Sequence, residues 1–226
     1  PMGTSCPDHF LRTKIKPLIL ALNPEENLTN PSEVLKKITP SFEQYRKDYK
    51  QYYNACKHSD SPDIRDANPV VILYPGVGMF TFAKNKQTAR VASEFYVNAV
   101  NVMRGAEAIS KYTSLPRQEA FDIEYWLLEE AKLQRQPKEK PLSRKVALIS
   151  GSGGGIGRAI ADKLITEGAN VVFTDISEDY LKEATAQYSP DQAIGCKCDV
   201  TSAESIALAV QKASLQFGGL DIVVHS

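Results

Sequence analysis

The sequence predicts an α/β protein in two parts, the second of which is a doubly wound parallel sheet. Between residues 144 and 226, short apolar runs typical of strands alternate with amphipathic runs typical of helices. A glycine-rich loop follows the first of these strands. A polar, proline-containing segment, 134–143, separates this region from residues 1–133 and predicts a linker. Strands and helices that alternate at this spacing form a parallel sheet with right-handed crossovers.

The bulk composition excludes several classes of function. The 226 residues contain 27 Lys and Arg against 27 Asp and Glu, so no net charge favours nucleic acid or an anionic membrane. No apolar run approaches the roughly 18 residues of a membrane span, and no signal-type apolar region follows the first residues. We therefore expect a cytoplasmic protein that acts on small molecules, with neither nucleic acid nor membrane as a partner.

The pattern of residues 1–133 predicts a mixed α/β domain. Ser41, with Gln44 three residues later, has the form of a capping box and predicts a helix that begins there. Its apolar residues share one stripe: Phe42, Tyr45, Tyr49, Tyr52 and Cys56. The other predicted elements are strand 69–74, turn 75–78, strand 79–83 and helices at about 87–110 and 117–133.

The pattern after residue 144 is more regular. It predicts strands at 145–149, 170–174, 193–198 and 220–224, with helices between them at 156–167, 177–187 and 202–217. Cys196 and Cys198 lie on one face of the third strand, where two small core residues are more plausible than a zinc site without further ligands.

The loop 150–157 has the composition of a phosphate-binding turn. Gly151 would form the tight turn off the strand, and the middle glycines would let a pyrophosphate approach the backbone closely. Gly157 would let the helix pack near the strand, and the free N–H groups of its first turn would face the phosphates. Because a strand precedes the loop and a helix follows it, the context supports nucleotide binding.

Asp175 ends the second strand, 18 residues beyond Gly157. An acidic residue there can accept hydrogen bonds from both adenosine ribose hydroxyls and would repel a 2′-phosphate. No Arg lies within the loop to bind such a phosphate, so the sequence predicts NAD rather than NADP. An alternative role for Asp175 is to cap the helix that follows.

Gly151 to Gly157, Gly-x-x-x-Gly-Ile-Gly, resembles the signature of short-chain dehydrogenases, with Ser150 in place of the family's threonine. Asp199-Val200 resembles the family's Asp-Val motif, whose Asp contacts adenine, and 221–226 resembles its fourth strand, with His225 and Ser226 at two Asn positions. The resemblance implies a Rossmann domain over 144–226. The predicted cofactor-binding residues are Gly151, Ser152, Gly153, Gly155, Ile156, Gly157, Asp175, Asp199, Val200 and His225.

The family's catalytic Ser, Tyr and Lys follow the fourth strand, so the resemblance places them beyond residue 226. The match of Tyr53 and Lys57 to Tyr-x-x-x-Lys lies before the nucleotide loop and is interpreted as coincidence. We therefore assign no catalytic residue and expect this chain to be a fragment that binds NAD without turnover.

The order of 4–14, then 74–79, then a long helix and a dehydrogenase resembles the bifunctional rhamnulose-1-phosphate aldolase/short-chain dehydrogenase proteins of bacteria. The resemblance implies that 1–133 is the C-terminal part of a class II, zinc-dependent aldolase-like α/β domain. The parent enzyme would yield dihydroxyacetone phosphate and lactaldehyde, oxidise or reduce the lactaldehyde with NAD(H), and form a homo-oligomer.

The metal ligands of such an aldolase are not evident in this sequence. His9 is either a surface residue or a ligand, His58 lies in a polar loop that is expected to be solvated, and Val77 stands where a ligand could occur. One candidate ligand does not make a zinc site, so the metal site is unassigned. Two alternatives stay open: a non-catalytic nucleotide-binding or scaffold module, and another short-chain dehydrogenase with an unrelated N-terminal domain.

Overall fold

The computed structural model describes residues 3–6, 9–23, 25 and 29–226. The chain divides into two compact units: unit 1 comprises Pro1–Ala83 and Thr88–Gln136, and unit 2 comprises Lys84–Gln87 and Pro137–Ser226. The main boundary between them falls inside the segment 134–143. The end of that segment packs onto unit 2, because Leu142 lies against its core and donates its backbone N–H to the Glu167 carbonyl at 3.0 Å.

Unit 1 combines a small sheet with several helices. Its elements in chain order are α1 (Phe10–Thr13), β1 (Leu18–Ile19), α2 (Pro31–Cys56), β2 (Val71–Tyr74), β3 (Gly78–Thr81), α3 (Lys86–Ile109, whose first two residues are assigned to unit 2), α4 (Arg117–Glu124) and α5 (Leu127–Gln134). The sheet order is β1-β2-β3. β1 pairs with β2 in parallel, whereas β2 and β3, the two predicted strands on either side of the predicted turn, pair as an antiparallel hairpin.

An aromatic cluster forms the core between α2 and α4. Tyr49, Tyr52 and Tyr53 extend from α2 towards Phe121 and Tyr125, whose rings stack at 4.6 Å. The predicted stripe of α2 is thus confirmed as its buried face. Glu124 lies within this cluster at 1% exposure, where its carboxylate accepts hydrogen bonds from Tyr49 Oη at 2.6 Å and Tyr52 Oη at 3.3 Å.

Lys14 is held in an unusual conformation at the end of α1. Its φ of +60° lies in the left-handed region, which non-glycine residues seldom adopt. Its buried ammonium donates to the carbonyls of Asp66 and Asn68, the latter at 2.7 Å, and lies 4.0 Å from the Tyr49 ring centroid. Burial lowers the pKa of Lys14 to about 8.

Two sequence predictions for unit 1 were wrong in detail, and one short strand was not predicted. α2 begins at Pro31, with the Asn30 side chain as its cap, so Ser41 and the Pro before it lie inside the helix. The helix predicted over 117–133 is broken at Tyr125 and Trp126, because Tyr125 turns into the aromatic core. The strand β1 was not predicted, since two residues carry almost no periodic signal.

Unit 2 contains the predicted parallel sheet. Its elements are β4 (Val146–Ile149), α6 (Gly155–Thr166), β5 (Asn170–Asp175), α7 (Glu178–Thr185), β6 (Ala193–Lys197), α8 (Ala203–Phe217) and β7 (Ile222–Val224). The sheet order is β6-β5-β4-β7, and every pairing is parallel. Every predicted strand and helix of this unit is confirmed within a few residues, and Cys196 and Cys198 pack in its core.

The order of the strands determines where a ligand can enter. The chain passes from β4 outward to β5 and β6, then returns to the other side of β4 to form β7. The crevice at the carboxyl ends of β4 and β7 is therefore a topological switch point, the position at which open α/β sheets bind their ligands.

Candidate functional site

Three glycines of the loop between β4 and α6 cannot be replaced without strain or movement of the neighbouring atoms. Gly151 has φ of +60°. A Cβ on Gly157 would lie 2.6 Å from the Gly151 carbonyl oxygen, and a Cβ on Gly153 would lie 2.6 Å from Tyr180 Cβ. The close turn predicted at Gly151 and the close packing predicted at Gly157 are thus present.

The first turn of α6 is open on its outer side. Gly154 is the N-cap residue and provides no side chain, so the backbone N–H groups of this turn have no side-chain cap. A Cβ on Gly155 would meet no atom within 4 Å, and Ile156 is 76% exposed. An anionic group could therefore approach the uncapped N–H groups closely, where the helix dipole would stabilise its charge.

Asp175, at the carboxyl end of β5, is tied directly to this loop. Its Oδ2 accepts a hydrogen bond from the Gly153 backbone N–H at 3.1 Å, and its Oδ1 accepts one from Ser177 at 3.0 Å. The cap of α7 is the Ser177 side chain rather than Asp175. Each carboxylate oxygen retains a lone pair, so Asp175 is oriented by the protein and can still accept from a ligand.

Asp199 and Val200 follow the end of the adjacent strand β6. Asp199 Oδ1 accepts hydrogen bonds from the Thr201 backbone N–H at 2.9 Å and from Thr201 Oγ1 at 2.7 Å. These bonds hold the pKa of Asp199 below its usual value. Val200 is 47% exposed. The two residues thus form a rigid turn at the edge of the sheet where β5 also ends.

The end of β7 closes the other side of the loop. His225 Nδ1 lies 2.7 Å from Ser150 Oγ, and the Ser226 backbone N–H donates to the same oxygen at 3.2 Å. The predicted residues of the loop, β5 and β7 are therefore linked by direct contacts between Gly153 and Asp175 and between Ser150 and His225. Ser152 is fully buried beneath them and bonds to the Thr174 carbonyl.

Sequence reasoning missed one apolar residue at this edge. Ile176 directly follows Asp175 and is 65% exposed. Together with Ile156 and Val200 it gives the carboxyl edge of the sheet an apolar surface beside the polar groups. Because Ile176 directly follows the acidic residue that ends β5, its position in the sequence could have indicated that it lies at the exposed edge of the sheet and not in the core.

The candidate metal-binding residues of unit 1 do not form a site. His9 stacks on Phe95 at 3.8 Å between ring centroids, and its Nδ1 lies 2.7 Å from Ser5 Oγ. His58, expected to be solvated, is exposed but lies 2.8 Å from Asp122 Oδ1. Val77 is exposed. In the part of the chain that the structure describes, no three His, Cys, Asp or Glu side chains are placed to hold a metal ion.

The Tyr-x-x-x-Lys match in α2 has a structural explanation. Tyr53 is 8% exposed, and its hydroxyl donates to the Pro62 carbonyl at 2.7 Å. Lys57 Nζ lies 5.8 Å from the Tyr53 ring centroid, over the ring rather than at the hydroxyl. This arrangement supports packing and not proton transfer.

Comparison with known families agrees with this division of the chain. Residues 1–133 match the family described as aldolase class II, second domain. The chain belongs to this family. Residues 145–226 match the family model described as short chain dehydrogenase. None of the helices in the described part of the chain is long and apolar enough to cross a membrane.

Two similar curated proteins are each matched over about a third of their own length. An uncharacterized oxidoreductase of Bacillus subtilis, YuxG, is 35% identical over 230 residues, which cover all of this chain and 33% of the relative. An uncharacterized oxidoreductase of Staphylococcus aureus is 40% identical over 85 residues, 38% of this chain and 37% of the relative. The chain thus spans about a third of the length of these relatives.

Two solved structures share part of the chain. Hydroxysteroid dehydrogenase from Escherichia coli has a TM-score of 0.36 and 36% identity, covering 37% of each chain. The 3-ketoacyl-(acyl-carrier-protein) reductase from Brucella melitensis, in complex with NADH, has a TM-score of 0.34 and 32% identity, covering 35% of this chain and 32% of that one.

Proposed function

We propose that unit 2 binds NAD(H) at the β4–α6 loop. The observation that carries this proposal is the arrangement of an uncapped helix N-terminus beside a carboxylate, Asp175, that the loop itself holds in place. The first turn of α6 would hold the pyrophosphate, and Asp175 would accept from the adenosine ribose. Ile176, Val200 and Asp199 would surround the adenine. When bound, the nicotinamide would accept or donate a hydride.

The same residues favour NAD over NADP. A 2′-phosphate would lie where the ribose hydroxyl meets Asp175, and two negative charges at hydrogen-bond distance repel each other. Arg158, the first cation after the loop, forms an ion pair with Glu183 at 3.2 Å. The loop therefore offers a 2′-phosphate a carboxylate and no uncommitted guanidinium.

Isothermal titration of the 226-residue chain with NADH and NADPH tests this proposal. We expect NADH to bind more tightly, and Asp175→Ala to weaken NADH binding about 10-fold, because a hydrogen bond to a charged group is lost. Asp175→Asn, which retains an acceptor for the Gly153 N–H, should weaken NADH less and NADPH hardly at all. Asp179→Ala, in the exposed first turn of α7, is the matched control. Tighter binding of NADPH by the unmodified chain would contradict the assignment.

We further propose that the complete protein cleaves rhamnulose 1-phosphate and oxidises or reduces the resulting lactaldehyde with NAD(H). The pairing of the two domains and the resemblance described above support this proposal. The full-length protein, supplied with rhamnulose 1-phosphate and NAD⁺, should release dihydroxyacetone phosphate and form NADH. Retained NADH binding without either product would instead favour a nucleotide-binding module.

Zinc does not fit the residues described in unit 1. His9 is stacked on an aromatic ring, and the described residues offer no set of three ligands around it. A zinc ion of the parent aldolase would need ligands from outside this set, so we derive no step through it. We also propose a cytoplasmic location and a homo-oligomeric parent protein.

A further inference from the structure

Unit 1 contains a cavity that the proposed nucleotide site does not use. It has a volume of about 370 Å³ and lies between α2, the segment before β1 and the start of α4. Its size falls within the range of cavities that hold small organic molecules. The residues that determine its chemistry are Lys16, Tyr45, Asp48, Tyr49, Tyr52 and Arg117.

The tyrosines present ring carbon to this cavity, because their hydroxyls are engaged elsewhere. Tyr45 Oη donates to the Lys16 carbonyl at 2.8 Å. The hydroxyls of Tyr49 and Tyr52 donate to the buried Glu124 carboxylate. All three tyrosines are buried, so their positions are fixed by the core of the unit. The rings of Tyr49 and Tyr52 are tilted by 50° to each other, so the wall that they form is apolar and angled.

The charged residues of the cavity do not balance. Lys16 Nζ and Asp48 Oδ2 form an ion pair at 2.8 Å, so these two charges compensate each other. The Arg117 guanidinium lies 5.5 Å from the Tyr52 ring centroid, and its charge also acts on Asp48, whose pKa is lowered mainly by hydrogen bonds from Lys16 and Gln44. The cavity therefore combines an aromatic wall with two cations and one carboxylate, which leaves a net positive charge at its rim.

We propose that this cavity binds a small organic monoanion with a flat apolar body, of the chemical class of aromatic carboxylates. The body would lie against the rings of Tyr45, Tyr49 and Tyr52, where removal of apolar surface from water favours binding. The carboxylate would pair with Arg117, whose planar guanidinium can donate two parallel hydrogen bonds to it. This site is independent of the nucleotide site proposed in unit 2.

Titration of the full chain with 2-naphthoate and with its neutral analogue 2-naphthylmethanol tests the proposal. We expect 2-naphthoate to bind more tightly than 2-naphthylmethanol. Arg117→Gln should weaken 2-naphthoate about 10-fold or more and leave 2-naphthylmethanol within about 2-fold, because only the anion loses a charged partner. Lys111→Gln, which removes an exposed cation of the same unit, is the matched control and should change neither affinity.

A second variant tests the charge balance in the opposite direction. Asp48→Asn removes the carboxylate that neutralises Lys16, so it should tighten 2-naphthoate several-fold without changing 2-naphthylmethanol. The proposal is overturned if 2-naphthoate does not bind, if Arg117→Gln weakens both probes equally or neither, or if Lys111→Gln has the same effect as Arg117→Gln. Competition between 2-naphthoate and NADH would place the probe in unit 2 and also overturn it.

Discussion

Substitution of Gly157 by Ala tests whether the packing of α6 on its loop creates the nucleotide site. The new Cβ would lie 2.6 Å from the Gly151 carbonyl oxygen and 2.8 Å from Ser152 Cα. Both atoms belong to the backbone, so the helix must move away from the loop by at least about 0.7 Å, since non-bonded carbon atoms pack at about 3.5 Å or more. Such overpacking costs about 1–3 kcal/mol, offset by about 1 kcal/mol from the helix propensity of Ala.

We therefore expect Gly157→Ala to lower the free energy of unfolding by up to about 2 kcal/mol and to weaken NADH binding more than about 10-fold, because the N–H groups of the first turn are displaced. Urea unfolding followed by circular dichroism and titration with NADH measure the two effects. Gly155→Ala is the control for stability: it adds a methyl group in the same turn but in open space, and should not destabilise the chain. If Gly157→Ala unfolds with the same free energy as the unmodified chain and binds NADH with the same affinity, the packing argument is refuted.

Two further predictions concern the aromatic core of unit 1, where the fluorescence of the single tryptophan, Trp126, reports unfolding. Burial raises the pKa of Glu124 above its ordinary value of 4.5. The folded chain therefore binds this proton more tightly than the unfolded chain. The resulting stabilisation of the fold is complete below pH 4.5 and is lost as the pH rises through the raised pKa. The free energy of unfolding should fall over this pH range in the unmodified chain and in the control Glu119→Gln, which changes an exposed residue. It should not fall in Glu124→Gln. An equal dependence of the free energy of unfolding on pH in all three proteins would contradict this assignment. Tyr125→Phe removes a hydroxyl that lies 2.7 Å from Tyr49 Oη and should lower the free energy of unfolding by about 1–2 kcal/mol. The same change at the exposed Tyr180 should lower it by less than about 0.5 kcal/mol. Equal decreases in the two variants would indicate that the buried hydroxyl pair adds no stability.

Unit 2 could be predicted from the sequence because its signals are local. Each strand is a short apolar run, each helix begins or ends at a recognisable residue, and Gly168, with φ of +100°, directly follows the C-cap residue of α6. The positions of the glycine loop and of Asp175 at the ends of neighbouring strands follow from the strand order alone. The hydrogen bond between them could not be predicted, because it depends on how the loop turns back towards β5.

Unit 1 was harder to predict because its structure depends on distant contacts. β1 exists through its pairing with β2, whose residues lie more than 50 positions away in the sequence. The break after Glu124 arises because Tyr125 reaches Tyr49 in the core, although the local residues favour a continuous helix. The Ser41 capping pattern was misleading because the helix begins earlier, at the cap Asn30, and continues through Pro40. Local propensity gives way to tertiary packing at each of these points.

The conformation of Lys14 has a consequence for how freely this position can vary. Its backbone angle favours glycine, which has no ammonium, while its hydrogen bonds to Asp66 and Asn68 require a long cationic side chain. Arginine would carry the charge but would bring a larger planar group into a buried space. The two demands therefore conflict at this position: the backbone angle favours glycine, whereas the hydrogen bonds to Asp66 and Asn68 favour lysine.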